Sequence, residues 1–509
     1  MTRIDKFFRK YYWLFIFSIP LFYVLHNYNE YFGLLSLGQS GQFLLIHIIV
    51  FTALFYLLKL FYRNAAWSLL LLMIIYFFFG AAHDLLKSVP SLKFFATYKF
   101  LLPLLGLLVL AILFIGSRLQ NPPWNTLMYF NLLFVIFLSY EIVVLILNIS
   151  FHKDRSNNFS QKEIISLNLN QPIDTARLPD IYFIVLDEYT SSDCLKTEFN
   201  YDNSSIDSIF SQNHFYVSTK SSSNYNITPF SISSTLNLDF LKPDLNGKKM
   251  TAKLILQGLS TMQNCFLPKF LDNYGYEIRN LSVYRLNRYD PPRPELFAPM
   301  KKNVLRMGTL YGRIQRDISY AVYSRLPLTK KWILDKNFNE ERNNQVSNNQ
   351  NCLDLLNQEI ENNVSKPRFV YCHVSLPHEP FYVDRNGNFY SDSTQRQFTN
   401  KQLYLEQLQF VNKQLAKLIP KINQTRSRPT VAIIEGDHGF RYYDELKNEN
   451  DIFRNLNAYY FSDKDYRALY DHISPVNSFR VILNKYFHTQ LHLLTDSSVF
   501  INDRVDLYH

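Results

Sequence analysis

Two apolar runs in the C-terminal half of the chain end on residues that could bind a metal ion. They are Ile181–Asp187 (IYFIVLD) and Thr430–Gly439 (TVAIIEGDHG), and the second has a histidine directly after its acid. Runs of this kind are typical of buried parallel strands that place a carboxylate at the carboxyl edge of a sheet. Carboxylate and imidazole groups are ligands of divalent cations. Asp187, Asp437 and His438 are therefore candidate ligands of one metal ion.

A candidate nucleophile lies between these runs, in the stretch SSSNYNITPFSISSTLN at 221–237. Thr228 precedes Pro229 and a helical pattern, which predicts a helix with threonine at the cap and proline at the first helical position. A hydroxyl there lies over free backbone N–H groups and the positive end of the helix dipole, which favours a phosphate-like anion. A nearby metal ion would lower the pKa of the hydroxyl. Taken alone, the stretch favours the alternative that Thr228 only caps the helix.

A histidine in SLPHEPFYVDRNGN (375–388) is the third candidate. His378 follows the strand-like run RFVYCHV, and a loop histidine at a strand end can protonate a leaving group or bind phosphoryl oxygens. The alternative is a surface histidine without a chemical role. His373, inside the apolar run, is interpreted as a core histidine whose hydrogen bonds are satisfied.

An α/β domain would bring these residues together. Strand-like runs at 181–187, 214–219, 276–284, 368–376, 430–436 and 456–461 alternate with helical patterns at 229–238, 349–363, 400–419 and 477–487. This alternation predicts a mostly parallel central sheet covered by helices. Ligands of such sheets bind at the carboxyl ends of the strands. Asp187, His378, Asp437 and His438 would all lie there.

The first 150 residues are predicted to form a membrane domain of five helices. The apolar spans are Tyr11–Tyr28, Gln42–Phe61, Ala66–Leu85, Tyr98–Gly116 and Asn125–Ile149. Each approaches the roughly 20 residues that a helix needs to cross a bilayer. Basic residues before the first span and after the second and fourth mark those segments as cytoplasmic (Arg3, Lys6, Arg9, Lys10, Arg63 and Arg118). An odd number of spans then places the rest of the chain outside, with residues 151–179 as a linker and 180–509 as an extracytoplasmic domain.

Composition narrows the possible partners. The formal net charge is +10, and we interpret the excess of Lys and Arg as a consequence of membrane topology and anionic lipid. No basic helix or stacking motif of nucleic-acid type is found, so nucleic acid is not an expected partner. The four cysteines, Cys194, Cys265, Cys352 and Cys372, form no CxxC pair, which disfavours a zinc ribbon. A disulfide and buried free thiols both remain open.

The order of the motifs resembles the alkaline phosphatase/sulfatase superfamily. The order is Asp187 after a strand, Thr228 at a helix start, PHEPF at 377–381 and EGDHGFR at 435–441. With its apolar N-terminal part the chain is similar to the membrane-anchored branch, which includes lipoteichoic acid synthases and phosphoethanolamine transferases. That branch has about five N-terminal membrane helices and an extracytoplasmic catalytic domain. The resemblance implies an alkaline-phosphatase-like α/β fold in a multi-pass protein of the inner (plasma) membrane.

The resemblance also implies roles for individual residues. Asp187, Thr228, Asp437 and His438 would ligate a single Zn²⁺ or Mn²⁺, a donor set that suits either ion. Thr228 would also be the nucleophile, His378 would be a catalytic residue on the substrate side, and Arg441 would bind substrate. Glu188, next to Asp187, is either a bystander or the ligand in its place.

The chain departs from true sulfatases at the nucleophile. Those enzymes convert a Cys or Ser within C/S-x-P-x-R to formylglycine, whereas this chain has Thr228, Pro229, Phe230 and Ser231 without such an arginine. Threonine cannot form that aldehyde, so phosphoryl transfer through a phosphothreonine is favoured over sulfate-ester hydrolysis.

The implied activity is transfer of a phospho-head-group from a membrane phospholipid to an envelope glycan or lipid. A membrane-anchored phosphodiesterase or phosphatase, or a sulfuric ester hydrolase, is the first alternative. A non-enzymatic envelope protein is the second.

Overall fold

The computed structural model describes residues 3–62, 64–119, 123–151, 178–241, 245–293, 304–319, 335–390, 397–424 and 428–503. They form two compact units. The first takes in the described residues of Met1–Ser156 and Ala298–Leu334, and the second those of Asn157–Phe297 and Asp335–Leu507. The predicted domain boundaries stay predictions, and most of the predicted linker (152–177) lies outside the described residues. The 304–319 segment, from the C-terminal half of the sequence, belongs to the first unit.

The first unit is helical. Its N-terminal helices are α1 (Arg3–Lys10), α2 (Phe15–Glu30), α3 (Leu37–Phe61), α4 (Ala65–Ser88), α5 (Tyr98–Arg118) and α6 (Trp124–Phe151). Four of the helices in the described residues, α3 to α6, are long and apolar enough to cross a membrane. Outward-facing leucines of α5 such as Leu104, Leu107 and Leu110 are more than half exposed. Exposed apolar surface of this extent is typical of a protein that meets lipid.

A fifth membrane helix is not confirmed. The predicted span Tyr11–Tyr28 corresponds to α2, which has only 16 residues because residues 11–14 form turns. At about 1.5 Å per residue such a helix covers roughly 24 Å, less than the hydrocarbon core of about 30 Å. The predicted placement of the chain after residue 150 on the extracytoplasmic face, which depends on an odd number of spans, stays a prediction.

The 304–319 segment packs closely on α2 and α4 within the first unit. The Gly80 N–H donates a hydrogen bond to the Gly308 carbonyl at 3.0 Å, and the Tyr23 hydroxyl donates to the Leu305 carbonyl at 2.7 Å. A Cβ atom on Gly80 would lie 2.4 Å from the Gly308 oxygen, so glycine is needed for this approach. Arg313 forms an ion pair with Asp84 of α4. The segment is therefore an integral part of the membrane-helix unit.

The second unit is built on a six-stranded sheet. The strands are β1 (Asp180–Leu186), β2 (Tyr216–Val217), β3 (Glu277–Leu281), β4 (Arg368–Val374), β5 (Thr430–Glu435) and β6 (Asn457–Phe461), in the order β2-β6-β5-β1-β4-β3. Neighbours among β1, β3, β4 and β5 pair in parallel, whereas β6 is antiparallel to both β5 and β2. The predicted α/β class is confirmed, and the sheet is mixed.

Helices cover both faces of this sheet. They are α7 (Ser192–Phe199), α8 (Ser204–Gln212), α9 (Thr228–Asn237), α10 (Ala252–Gln263), α11 (Phe266–Asn273), α12 (Asp335–Glu361), α13 (Asn400–Ile422) and α14 (Pro475–Phe487). Every residue of β1, β4 and β5 is buried, as expected for parallel strands covered on both sides. On one face, Phe183 of β1 meets Phe479 of α14 with ring centroids 5.1 Å apart.

All four cysteines are free and buried. Burial raises the pKa of the Cys194 and Cys265 thiols to about 12 and that of Cys352 to about 11. Of the two alternatives left open by the sequence, the structure shows buried free thiols.

Candidate metal centre and nucleophile

The three candidate ligands predicted from strand ends lie together in the structure. β1 pairs with β5 so that Val185 lies opposite Glu435, and both strands end at the same edge of the sheet. The His438 Nε2 atom lies 3.7 Å from Asp187 Oδ1 and 3.5 Å from Asp437 Oδ2. One ligand atom from each of the three buried residues lies within 4.8 Å of the others.

Hydrogen bonds orient the side chains of Asp437 and His438 and direct one ligand atom of each toward the cluster. Asp437 Oδ1 accepts the backbone N–H groups of Glu188 and His438, each at 3.0 Å, while Oδ2 is buried and has no hydrogen-bond partner among the described residues. The His438 Nδ1 donates to the Gly439 carbonyl at 2.8 Å. Because Nδ1 carries the proton, the lone pair of Nε2 is available to a metal ion.

Thr228 meets this cluster from a different element. Helix α9 begins at Thr228, so the threonine is the first helical residue and Ile227 is the cap. The prediction that Thr228 caps the helix is thus wrong by one residue, and no side-chain hydrogen bond caps this helix start. The buried Thr228 Oγ1 instead lies 3.5 Å from His438 Nε2. The hydroxyl is therefore close to the candidate ligands.

The four residues fit a single divalent ion. A tetrahedral ion with bonds of about 2.0–2.2 Å separates its ligand atoms by roughly 3.4 Å. The three distances from His438 Nε2 are 3.5, 3.5 and 3.7 Å. Asp187 Oδ1 and Asp437 Oδ2 are also buried without a hydrogen-bond partner in the described chain, a costly state that a cation would relieve. The choice between Zn²⁺ and Mn²⁺ stays a prediction.

His373 is a site residue that the sequence did not reveal. Its Nδ1 is hydrogen-bonded to the Tyr371 hydroxyl at 2.8 Å, and its Nε2 lies 3.6 Å from Asp187 Oδ2. Nε2 has no hydrogen-bond partner within the described ranges, so the interpretation as a satisfied core histidine is wrong. Its place beside Asp187 follows from the pairing of β4 with β1, in which His373 lies opposite Val185. That pairing could not be deduced from the apolar pattern of β4.

The surrounding charges favour an ionised Asp187. Burial alone would raise the pKa of this carboxyl, but the neighbouring imidazoles of His378, His373 and His438 hold the pKa below its usual range. An ionised carboxylate is the form that binds a metal ion.

Glu188 supports the site without joining the cluster of candidate ligands. Burial raises the pKa of its carboxyl. Its Oε1 accepts the Arg441 backbone N–H at 2.7 Å, and its own backbone N–H orients Asp437. Its φ of 68° is uncommon for a residue with a Cβ and costs free energy. The Tyr404 hydroxyl donates to the Glu188 carbonyl at 2.8 Å and holds this conformation.

His378 and Arg441 lie next to the cluster and contact each other. The Arg441 Nη2 donates to His378 Nε2 at 2.9 Å, and the His378 and His438 ring centroids are 6.3 Å apart. The Arg441 Nη1 also lies 3.5 Å from Asp503 Oδ2. Asp503 was not predicted, because no motif near the end of the chain points to it. Together these residues place a fixed positive charge beside the candidate metal centre.

Two glycines allow the strand end to reach its position. A Cβ atom on Gly436 would lie 2.1 Å from the Tyr189 carbonyl oxygen, and one on Gly439 would lie 2.6 Å from the Arg454 carbonyl oxygen. These are backbone atoms of packed segments and cannot easily move. The glycines on either side of Asp437 and His438 are therefore required by close packing.

Residues 267–481 match the Sulfatase family model. The match confirms, over this part of the chain, the resemblance to sulfatase-like enzymes derived from the motifs. It includes His378, Asp437, His438 and Arg441, whereas Asp187 and Thr228 precede it. No curated protein is similar enough in sequence to count as a match.

Solved structures show distant similarity. The C-terminal periplasmic domain of phosphoethanolamine transferase EptC from Campylobacter jejuni is 13% identical over 62% of this chain and 92% of its own, with a TM-score of 0.37. Integral membrane lipooligosaccharide phosphoethanolamine transferase A from Neisseria meningitidis is 13% identical over 98% of this chain and 96% of its own, with a TM-score of 0.37. TM-scores this low do not establish a common fold or function.

Proposed function

We propose that this protein is a membrane-anchored enzyme that transfers a phospho-head-group from a membrane phospholipid to a hydroxyl of an envelope glycan or lipid. The observation that supports it best is the position of the Thr228 hydroxyl, 3.5 Å from His438 Nε2 and beside two carboxylate oxygens without hydrogen-bond partners. A nucleophile among candidate metal ligands suits phosphoryl transfer through a covalent intermediate on the enzyme.

The residues would hold one divalent ion through Asp187, Thr228, Asp437 and His438. When bound, the ion neutralises charge on the phosphoryl oxygens and lowers the pKa of the threonine hydroxyl. The Thr228 Oγ1 passes its proton to His378 Nε2 and attacks phosphorus in line with the leaving oxygen. The new bond joins Oγ1 to phosphorus, and the bond between phosphorus and the glycerol oxygen breaks. Diacylglycerol leaves after its oxygen gains a proton, and the head group stays on Thr228 until an acceptor hydroxyl displaces it.

Arg441 and His378 have linked roles in this proposal. The guanidinium presents N–H donors that suit the oxygens of a phosphodiester, and it carries a permanent charge. While Arg441 donates to His378 Nε2, that nitrogen cannot donate a proton. Movement of Arg441 onto the phosphoryl group would free Nε2 to accept the proton that Thr228 loses. The imidazolium formed in this way could then protonate the leaving glycerol oxygen. Substrate binding and proton donation are thereby coupled.

The same residues also support hydrolysis, in which water replaces the acceptor hydroxyl. This is the second candidate function, because no described contact identifies the acceptor. Sulfate-ester hydrolysis by the formylglycine route is disfavoured, since Thr228 occupies the nucleophile position. A non-enzymatic envelope protein would have no need of a hydroxyl among free ligand atoms.

The membrane helices fit a lipid substrate. Helices α3 to α6 are apolar enough to hold the chain in a bilayer, where the phospholipid donor is found. We further propose that the second unit lies on the extracytoplasmic face, in agreement with the basic residues that precede α2 and follow α3 and α5.

Incubation of the purified full chain with head-group-labelled phosphatidylethanolamine or phosphatidylglycerol tests the proposal. We expect release of diacylglycerol and a mass increase on the peptide that contains Thr228. Thr228→Ala should abolish both, and Thr228→Ser should retain the adduct because it keeps a hydroxyl. The proposal is wrong if Thr228→Ala releases diacylglycerol at the wild-type rate. Label recovered as free head group rather than on an acceptor would favour hydrolysis.

A further inference from the structure

A cavity of about 150 Å³ lies at one end of the membrane-helix bundle in the first unit. It is bordered by the turn before α2, the end of α3 and the starts of α4 and α6. Among the residues that line it are Tyr12, Phe55, Lys59, Asn64, Trp67 and Trp124. A cavity of this size accommodates a group as large as benzene, and therefore part of a lipid molecule.

The lining combines apolar and amphipathic side chains. Phe55 and Leu127 are buried apolar residues, whereas Tyr12, Trp67 and Trp124 have apolar rings with polar tips. Tyrosine and tryptophan are enriched at the depth of the lipid head groups. The cavity thus has the character of the boundary between acyl chains and head groups.

This end of the bundle is basic. Lys59 lies in the last turn of α3, is exposed and forms no ion pair among the described residues. The Arg9 guanidinium lies 5.7 Å from the centroid of the Trp124 ring. Glu30 and Asp84 lie near the C-terminal ends of α2 and α4, away from the cavity. Glu141 lies past the middle of α6 and accepts a hydrogen bond from Asn29. The charge of the cavity rim therefore favours an anion.

Asn64 provides an independent polar feature in the cavity wall. Its side chain is 3% exposed, and Nδ2 donates to the Leu119 carbonyl at 2.6 Å. Its Oδ1 is buried and has no hydrogen-bond partner in the described part of the chain. A buried carbonyl oxygen without a donor costs free energy. A ligand hydroxyl could satisfy it.

We propose that this cavity binds an anionic phospholipid whose head group carries hydroxyl groups, of the phosphatidylglycerol class. The lipid phosphate would pair with Lys59, a head-group hydroxyl would donate to Asn64, and an acyl chain would lie along Phe55 and Leu127. A zwitterionic lipid fits less well, because no acidic side chain is among the lining residues to pair with its ammonium. This site is separate from Thr228 and does not depend on the proposed enzyme activity.

Quenching of tryptophan fluorescence by brominated lipids tests the site, because two of the four tryptophans line the cavity. The full chain in detergent is titrated with acyl-brominated phosphatidylglycerol or phosphatidylcholine. Half-maximal quenching by phosphatidylglycerol is expected at about fivefold lower concentration, in line with roughly 1 kcal/mol per basic residue near anionic lipid. Lys59→Gln should abolish this preference, and Lys59→Arg should retain it.

The matched control is Lys99→Gln, which removes an exposed lysine from the first turn of α5 at the other end of the bundle. It should keep the wild-type preference. Equal quenching by the two lipids, or an unchanged preference in Lys59→Gln, would overturn the proposal. If inorganic phosphate at the same concentration displaces phosphatidylglycerol, the site recognises an anion alone and the assignment to a lipid is wrong.

Discussion

Arg441 donates a hydrogen bond to His378 Nε2 at 2.9 Å. The guanidinium Nη1 lies 3.5 Å from Asp503 Oδ2. The pKa of Arg441 is raised: burial would lower it, but the charge of Glu188 and then that of Asp503 outweigh burial. While this hydrogen bond lasts, His378 Nε2 is an acceptor, although the charges of Asp187 and Glu188 outweigh burial and raise the pKa of the imidazole. In the proposed reaction, Arg441 must leave this bond before His378 can give a proton.

Arg441→Gln should raise the KM for the phospholipid by about tenfold or more, because a hydrogen bond to a charged group contributes about 1.5–3 kcal/mol. Steady-state release of labelled diacylglycerol measures this effect. Arg467→Gln is the control, since Arg467 is 91% exposed and pairs locally with Asp465. Unchanged kinetics in Arg441→Gln would show that Arg441 does not contact substrate.

Metal content provides a prediction that does not depend on activity. The purified chain should bind about one divalent ion, and Asp437→Asn should lose it, because the variant removes one of the free carboxylates near His438. Elemental analysis after dialysis gives the stoichiometry. Asp444→Asn, an exposed acid a few residues along the same loop, should leave metal content unchanged. Equal metal content in the two variants would contradict the assignment of Asp437 as a ligand.

Removal of the ion should also lower stability. A ligand present at a thousandfold excess over its Kd stabilises the folded state by about 4.1 kcal/mol. Treatment with a chelator should therefore lower the unfolding temperature of the wild type. Readdition of Zn²⁺ or Mn²⁺ should restore that temperature. Asp437→Asn should show no such response, and a wild-type protein indifferent to the chelator would argue against a bound ion.

The core of the site could be predicted because parallel strands that are neighbours end at the same edge of a sheet. Asp187, Asp437 and His438 needed only that rule. His373 could not be found in this way, because it lies inside the apolar strand β4 and not after its end, and a residue there is expected in the core. The 304–319 segment was missed for another reason. Its contacts with α2 and α4 connect residues far apart in the chain, and nothing in its own sequence identifies those partners.

His373→Gln tests the residue that the sequence did not reveal. His373 lies 3.6 Å from Asp187 and is fixed by the Tyr371 hydroxyl. Loss of a group that orients a metal ligand typically weakens metal affinity by about 10–100-fold. The variant should need more Zn²⁺ or Mn²⁺ for half-saturation but should still form the Thr228 adduct at saturating metal. Tyr371→Phe should cause a smaller change in the same direction. Wild-type affinity in both variants would show that His373 only fills space.

Gly436→Ala should disturb the metal centre through the backbone. The added Cβ would meet the Tyr189 carbonyl oxygen at 2.1 Å, and overpacking of this kind costs about 1–3 kcal/mol. We expect a lower unfolding temperature together with weaker metal binding. Gly106→Ala in α5 is the control, because nothing lies within 4 Å of its Cβ position. A Gly436→Ala variant with normal metal affinity would mean that Asp437 is held by contacts other than this close packing.

The 304–319 segment should hold the C-terminal part of the chain to the membrane helices even when the chain is cut between residues 152 and 177. A protease site inserted within 152–177 separates the sequence into two fragments. The Gly80 to Gly308 hydrogen bond and the Arg313 to Asp84 ion pair join the segment to α4. After cleavage, both fragments should therefore remain in the membrane fraction. Additional protease sites within 294–303 and 320–334 allow the 304–319 segment to be cut from the rest of the C-terminal part of the chain. Cleavage at these sites as well should release the catalytic fragments from the membrane fraction. Release after the first cut alone would show that packing of this segment is too weak to act as a second anchor.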